Sequence, residues 1–385
     1  MLVPLNFEKP TGTRDVLPEK LLLIRQISAE IIELLAKWGY EEIETPLVEY
    51  HQTVGLFSKI QDDRLIKFLD PLGKNVILRP DFTTPIARLA ASIYKDIDFP
   101  IRLMYQGKVY RNSGSKGIAE VNQIGMELIG LASLEGDAEV ITLAIQTILK
   151  CTNKNFKVAV GHTKFLKLLL KEIGCDPSWQ DQLFQYLLDN DYVGYKNLVN
   201  TLEIDESYKE YLVKILKIRG SFATVIEAEN WFDSPEWRDI FQELSQLWSI
   251  LTQYQVTDYV SLDLSLVGRQ YYYTGMIYHV YCEGHPYPIC SGGRYDNLLE
   301  NFGRDGTATG FAVNVDDLLG VVIKENGQNY PEGKTLLVYS PDQRQEAIRQ
   351  ADLLRAQGRV VVMAQEGTVT EKFQSDFDQI IDLDN

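Results

Sequence analysis

Residues 120–130 read EVNQIGMELIG, and the alternation in this stretch decides the architecture. With the two-residue period of a strand, Gln123, Gly125 and Glu127 share one face, and Ile124, Met126 and Leu128 share the other. The apolar face requires a covering layer of helices. The polar face presents an amide, a gap where a side chain would stand, and a carboxylate. That is a floor for a small polar ligand, with Gln123 and Glu127 able to bind an ammonium or an imidazole N–H. A half-solvated strand bulged at Gly125 would give the same pattern.

Working outward, Ile101–Arg111 and Ala119–Ile129 read as paired antiparallel strands around the loop NSGSKG. Upstream, Pro18–Trp38 is an amphipathic helix. Pro18 suits its first turn, and Leu22, Ile24, Ile27, Ile31, Leu34 and Leu35 recur at helical spacing. Gly39 stops it, and Tyr40–Ile43 forms a short strand. Further strands are expected at Lys67–Leu69 and Asn75–Leu78, then a helix over Thr84–Tyr94. Downstream, Asp137–Leu149 is helical, and from about Phe165 to Leu251 the pattern becomes helices rich in Leu, Tyr and acidic residues, an insertion rather than a repeat array. Beta pattern returns at Ser261–Leu264, Thr274–Tyr281 and Pro288–Ser291. Glu325–Gly333 reads as a polar linker, and TLLVYSPDQ through RVVVMAQ as one βαβ-like unit. The expectation is therefore an α+β fold: an antiparallel sheet flanked by helices, in a domain over residues 1–325 with its helical insertion at about 165–251, and a short C-terminal α/β unit at 326–385.

The chain has 385 residues with 38 Lys plus Arg against 54 Asp plus Glu, a formal net charge of -16. Such a surface repels phosphate backbones, and no basic run supplies a compensating patch, so extensive nucleic-acid binding is disfavoured. Cys151, Cys175, Cys282 and Cys290 show no CxxC pair and read as reduced, mostly buried thiols of a cytoplasmic protein. The N-terminal MLVPLNFEKP is not a signal peptide, and no run of apolar residues is long enough to span a membrane. His51, His162, His279 and His285 stand in unrelated contexts without an acidic partner at ligand spacing, so they read as structural or surface residues and no metal site is expected. No P-loop, nucleophile-elbow or dinucleotide-binding motif occurs.

Other strings add candidates. LRPDFTTPIAR places Asp81, Thr83 and Thr84 just before a helix, where Asp81 could grip an amino group or Asp81 or Thr83 could cap the helix. Arg111 ends a strand beside the glycine-containing loop. GRQYYYTGM brings Tyr271, Tyr272 and Tyr273 together as an aromatic wall or a core edge. SGGRYDNLLE has two glycines that permit close backbone approach, with Arg294 beside them.

Taken in order, GTRDVLP, the strand ending at Pro46, LRPDFTTPIAR, YQGKVYRN, NQIGMELIG, YYTG, GGRYD and GFAVNVDDL resemble histidyl-tRNA synthetase, covering residues 12 to about 320. The resemblance implies the class II aminoacyl-tRNA synthetase fold, dimerisation through the helix at Pro18–Trp38 and the strand before Pro46, and a C-terminal α/β domain. It also implies histidine-binding roles for Asp81, Thr83, Arg111, Gln123, Glu127, Tyr272 and Tyr273. Asp81 stands where the family has a glutamate.

The side of the family's site that handles ATP differs here. The glutamate two residues after the second motif's arginine, Arg111, is Ser113. The third motif's triphosphate-gripping arginine is Asp317, which would face the phosphates with the wrong sign. At 4 Å and an effective dielectric near 20 a unit pair is worth about 4 kcal/mol, so the reversal swings roughly 8. The arginine opening the family's RGLDYYTG string falls on Gly268 and its aspartate on Tyr271, while Arg269 lies one place off, on the opposite strand face. The tail is shorter than the family's anticodon-binding domain.

A histidine pocket kept while ATP chemistry and tRNA contacts are lost resembles the regulatory subunits of ATP phosphoribosyltransferase, the first enzyme of histidine biosynthesis. That resemblance implies no catalysis and no cofactor in this chain. It implies a short catalytic partner subunit, self-association as a dimer within a hetero-oligomer, feedback by free L-histidine, and no tRNA or membrane partner. An active histidyl-tRNA synthetase and a tRNA-sensing synthetase-like module are the alternatives.

Overall fold

The computed structural model describes residues 7–58, 60–268, 273–326 and 334–383. The chain divides into two compact units, Met1–Glu325 and Asn326–Asn385. In the first, α1 (Pro18–Lys37) buries the stripe Ile24, Ile27, Ile31 and Leu35, and Gly39 turns the chain out at a φ of 82°. β1 (Glu41–Glu42) follows, then a small antiparallel sheet of β2 (Val48–Tyr50), β3 (Lys67–Leu69) and β4 (Asn75–Leu78), in the order β2-β4-β3. α2 (Thr83–Ser92) leads to a long hairpin of β5 (Ile101–Asn112) and β6 (Ile118–Ile129), then α3 (Leu134–Cys151) and β7 (Phe156–His162).

The insertion holds α4 (Thr163–Glu172), α5 (Pro177–Leu188), α6 (Tyr192–Thr201), α7 (Glu206–Lys214), β8 (Arg219–Gly220), α8 (Phe222–Val225) and α9 (Pro235–Gln253). The unit closes with β9 (Val260–Asp263), β10 (Met276–Cys282), β11 (Cys290–Arg294), β12 (Ala308–Asn314) and α10 (Val315–Asn326). Among the described residues these strands make one nine-stranded sheet, ordered β1-β5-β6-β12-β11-β10-β7-β9-β8. All pairs are antiparallel except β1 with β5 and β7 with β9.

The face assignment read from residues 120–130 holds. Ile124, Met126 and Leu128 are fully buried in a core shared with Ile31 and Leu35 of α1, Ile141 and Leu143 of α3 and Leu247 of α9. On the opposite face a smaller cluster joins Phe82 and Ile86 at α2 to Leu103 and Tyr105 of β5 and to Tyr295. Sheet register then sets the layout of that second face. One row runs Tyr105, Gly125, Ala312, Ser291, His279, and the next runs Leu103, Glu127, Gly310, Gly293, Ile277. Small residues on β12 and β11 therefore form a trough between larger side chains on β5–β6 and on β10.

Several expectations need correction. The insertion is not purely helical, since β8 extends the main sheet through β9. The strands β2, β7 and β12 were not anticipated; Phe156–His162 alternates little because Val158, Val160, Gly161 and His162 are all buried. Glu325 and Asn326 end α10 rather than begin a linker, and residues 327–333 of that linker lie outside the described residues. The second unit contains the expected βαβ, with β13 (Lys334–Tyr339), α11 (Arg344–Ala356) and β14 (Val360–Gln365). It adds α12 (Glu371–Gln374) and β15 (Gln379–Asp382), making a parallel sheet ordered β14-β13-β15. Its core is Leu337, Ala347, Ala351 and Val361.

Arg294 is a structural clamp rather than a site residue. Its guanidinium is buried and donates to Asp137 of α3 at 2.6 and 2.9 Å, and also to the carbonyls of Leu131 and Ser133. Removing one partner of a buried pair is costly, and without Asp137 the guanidinium would keep only the two carbonyls and the longer contact to Asp296 at 3.4 Å. Asp137→Ala is therefore expected to destabilise the first unit by about 3–5 kcal/mol in urea unfolding.

Candidate functional site

Asp81, Thr83, Arg111, Gln123, Glu127 and Tyr273 all line a single cavity of about 320 Å³ on the polar face of the sheet. Elements far apart in sequence deliver them: the turn into α2 brings Asp81 and Thr83, the hairpin brings Arg111, Gln123 and Glu127, and the segment before β10 brings Tyr273. Tyr272, with Tyr271 and Arg269, lies outside the described residues.

Glu127 is the most enclosed of these groups, at 2% exposure. Its Oε1 accepts from the Thr83 hydroxyl at 2.8 Å, and its Oε2 accepts from the Tyr295 hydroxyl. Gly310, directly opposite on β12, makes room for it, because a Cβ there would fall on the Glu127 carboxylate and on the Met126 carbonyl. Burial pushes the Glu127 carboxyl up to about 8, against the lowering effect of the Tyr295 and Thr83 hydrogen bonds and with a further push from Asp81.

Asp81 holds the start of the helix and also borders the cavity. One oxygen accepts from the backbone N–H of Thr84 at 2.8 Å at the start of α2, the other from the Ser58 hydroxyl at 2.6 Å, and the carboxylate still borders the cavity. Arg111 is oriented by an Nε donation to the Pro80 carbonyl at 2.9 Å. The Tyr273 ring packs where side chains on Gly268 and Gly293 would stand, so both glycines are required by its position. Gly125 is not an open gap: the Tyr105 ring fills its place, stacked on Phe82 with centroids 4.4 Å apart.

Three residues escaped sequence reasoning. Tyr105 and Tyr295 gave no signal beyond hydrophobic pattern and a place beside the glycines. His279, read as structural, lines the cavity on β10, next to Ser291 in register. Burial pushes its imidazole down to about 4, so it is neutral at pH 7. Leu188, Val267 and His279 also border a second cavity of about 390 Å³ reaching Arg219 and Tyr192 of the insertion, so the two share a wall.

Asp317 does not line the first cavity. It sits in the first turn of α10, where its carboxylate accepts from the Asn314 amide and lies 3.5 Å from His285 Nε2. Acidic partners for the histidines come from tertiary structure instead: Asp62 for His51 and Glu243 for His162, at 2.8 and 2.9 Å. The four cysteines are free, and among the described residues no His, Cys, Asp and Glu cluster could hold a metal ion. No helix among them is long and apolar enough to cross a membrane.

The mainly antiparallel sheet with its helices is the fold of the class II aminoacyl-tRNA synthetases. The family model for histidyl-tRNA synthetase matches residues 12–318. A crystal structure of histidyl-tRNA synthetase from Nostoc sp. PCC 7120 superposes with a TM-score of 0.81 at 20% identity, covering 96% of this chain and 89% of that one, a likeness of fold. Nearer relatives narrow the assignment. An ATP phosphoribosyltransferase regulatory subunit from Halalkalibacterium halodurans is 40% identical over 376 residues, 96% of this chain and 94% of that protein. One from Bacillus subtilis is 37% identical over 359 residues, 93% of this chain and 91% of that protein. A crystal structure described as an ATP phosphoribosyltransferase regulatory subunit/histidyl-tRNA synthetase from Bacillus halodurans superposes with a TM-score of 0.90 at 38% identity, covering 99% of each chain. The chain belongs to the family of ATP phosphoribosyltransferase regulatory subunits, non-catalytic paralogues of histidyl-tRNA synthetase.

Burial of Glu127 has a consequence for stability. Its folded-state value, about 8, lies above the ordinary 4.5, so the folded chain holds the proton more tightly than the unfolded chain. The associated stability is fully present below pH 4.5 and is lost as pH rises through 8. Glu127→Gln, which cannot ionise, should flatten this dependence. Urea unfolding at pH 5 and pH 8.5 should show wild type losing about 3–5 kcal/mol relative to the variant across that window.

Proposed function

We propose that this chain is the histidine-sensing regulatory subunit of an ATP phosphoribosyltransferase in cytoplasmic histidine biosynthesis. Free L-histidine occupies the 320 Å³ cavity, and a short catalytic subunit performs the phosphoribosyl chemistry. The single observation carrying this reading is the convergence of Asp81, Thr83, Gln123, Glu127 and Tyr273 on one enclosed trough. A zwitterionic amino acid with a hydrogen-bonding ring needs carboxylates for its ammonium, an acceptor for its ring N–H and an aromatic wall. The more open Asp81 suits the ammonium, and the buried Glu127 with Tyr295 suits the ring. Arg111 and Gln123 complete the rim.

Synthetase chemistry is disfavoured by two departures from the family's motifs. Position 317 carries a carboxylate in place of the family's arginine, and it is engaged with Asn314 and His285. Position 113 carries serine where that family has a glutamate. The family assignment supports a catalytic partner, and the resemblance adds a dimer of this chain within a hetero-oligomer without tRNA.

Calorimetry is expected to give saturable binding of L-histidine and no measurable heat with ATP–Mg. Histidine-dependent ATP–pyrophosphate exchange would instead identify an active synthetase. Glu127→Ala should weaken histidine binding by about 2–4 kcal/mol, because the ligand loses a desolvated charged partner. Ile124→Val, on the core face of the same strand, should cost about 1 kcal/mol of stability and leave histidine affinity intact. Equal losses of affinity in the two variants would contradict the assignment of the pocket.

A further inference from the structure

Register across the main sheet lays out a second feature of its polar face. From β6 to β9 one row reads Gly125, Ala312, Ser291, His279, Ala159 and Ser261, so His279 is the single large side chain in it. Small residues leave space on both sides of that imidazole. Towards β11 and β12 the space is the cavity described above. Towards β7 and β9 it is the second cavity, of about 390 Å³, floored by Ala159 and Ser261. That size falls within the roughly 300–1,000 Å³ of small-molecule sites. The insertion covers it: Leu187 and Leu188 end α5, a left-handed turn follows at Asn190 (φ 56°), and Tyr192 opens α6.

Charge and hydrogen bonding define what fits there. In a chain of net charge -16, this cavity is bordered by two cations, Lys157 and Arg219, against one carboxylate, Asp263. The carboxylate is engaged on both oxygens. Its Oδ1 accepts from the backbone N–H and the hydroxyl of Ser265 at 2.9 and 2.6 Å, and its Oδ2 lies 3.2 Å from Arg219 Nε. Donors are left over. Arg219 meets Asp263 through Nε, its two terminal nitrogens have no hydrogen-bond partner among the described residues, and its side chain stays 43% exposed. Asn190 accepts from the Tyr192 hydroxyl at 3.2 Å through its oxygen, which leaves its amide N–H groups available, and the Ser261 hydroxyl adds another donor. Much of the remaining wall is apolar, from Leu187, Leu188, Leu266 and Val267.

We propose that the second cavity is a separate binding site for a small organic oxyanion, a carboxylate or phosphate on a compact apolar or aromatic body, held by the terminal nitrogens of Arg219. The planar fork of a guanidinium matches two oxygens of either head group, and such charge-assisted pairs are the stronger kind of hydrogen bond. The apolar body rests on Ala159 against the leucines that end α5. The site uses none of Asp81, Arg111, Gln123 or Glu127, so it stands whatever the first cavity holds. An occupant would tie α5 and α6 of the insertion to the sheet.

The test uses the full chain and three probes that share one ring: phenyl phosphate, phenylacetate and the neutral 2-phenylethanol. Affinities are read by ligand-observed proton NMR, with and without saturating L-histidine. The anions are expected to saturate one site at about millimolar affinity, as suits so few atoms, and at least one should bind about tenfold more tightly than the alcohol. The tighter of the two identifies the head group. Arg219→Gln should remove the anion's advantage, whereas Arg219→Lys, which keeps the charge, should retain part of it. Ser261→Leu, which fills the floor and leaves the charges in place, should abolish binding of all three probes. Cooperative urea unfolding of each variant controls for folding, and the Arg219 pair carries the test if Ser261→Leu is unstable. No binding by either anion up to about 10 mM, or an alcohol that binds as tightly as both anions, would overturn the proposal. So would an anion preference that survives Arg219→Gln, binding unchanged in a folded Ser261→Leu, or displacement of the probes by L-histidine.

Discussion

The contact on which the site depends is the Glu127 carboxylate held over Gly310 between two hydroxyls. Glu127 is delivered by β6, Gly310 by β12, Thr83 by α2 and Tyr295 by the turn after β11. Four segments from across the first unit must meet for one carboxyl group to be both enclosed and satisfied. An enclosed polar group that is only partly satisfied costs about 1–3 kcal/mol, so the contact adds to the constraint that the apolar core behind it places on the sheet register. A one-residue slip of β6 would turn Glu127 into the core and Met126 into the pocket.

Much of this was legible in the residue pattern. The alternation in 120–130 assigned Ile124, Met126 and Leu128 to the core and Gln123 and Glu127 to the pocket, because a strand has only two faces. The order of the motifs gave the fold. What escaped was whatever depends on contact between distant segments. His279 carries no local signal, since nothing near it in sequence says that it stands beside Ser291. Gly125 read as a gap because Tyr105, which fills it, is aligned only by the hairpin register. Asp317 was placed by analogy with an arginine, and its partners Asn314 and His285 were not visible in the pattern, because His285 reaches it only through the fold. Arg294, noted only as standing beside two glycines, is held by Asp137 from a helix far away in sequence.

A retired synthetase site is well matched to regulation. Amino-acid recognition needs hydrogen-bonding groups on rigid strands, and these survive here. Activation chemistry needs cations for the triphosphate, and two of the family's arginine positions here hold Gly268 and Asp317. With no chemistry to perform, such a site can act on a partner only through its differential affinity for two states of the assembly. The wall that the cavity shares with a second one bordered by the insertion, formed by Leu188, Val267 and His279, offers one physical route by which an occupant would be felt by the insertion's helices.

The central claim is that histidine held by this chain and substrate held by the catalytic partner are energetically coupled. Coupling of binding free energies is reciprocal, so it can be read from either side. The most direct measurement is histidine affinity in the reconstituted complex, with and without saturating phosphoribosyl pyrophosphate on the partner. The account requires affinity to fall when the substrate is present, by a factor of about 5–150 if the coupling is of ordinary size. Equal affinities in the two conditions would contradict it.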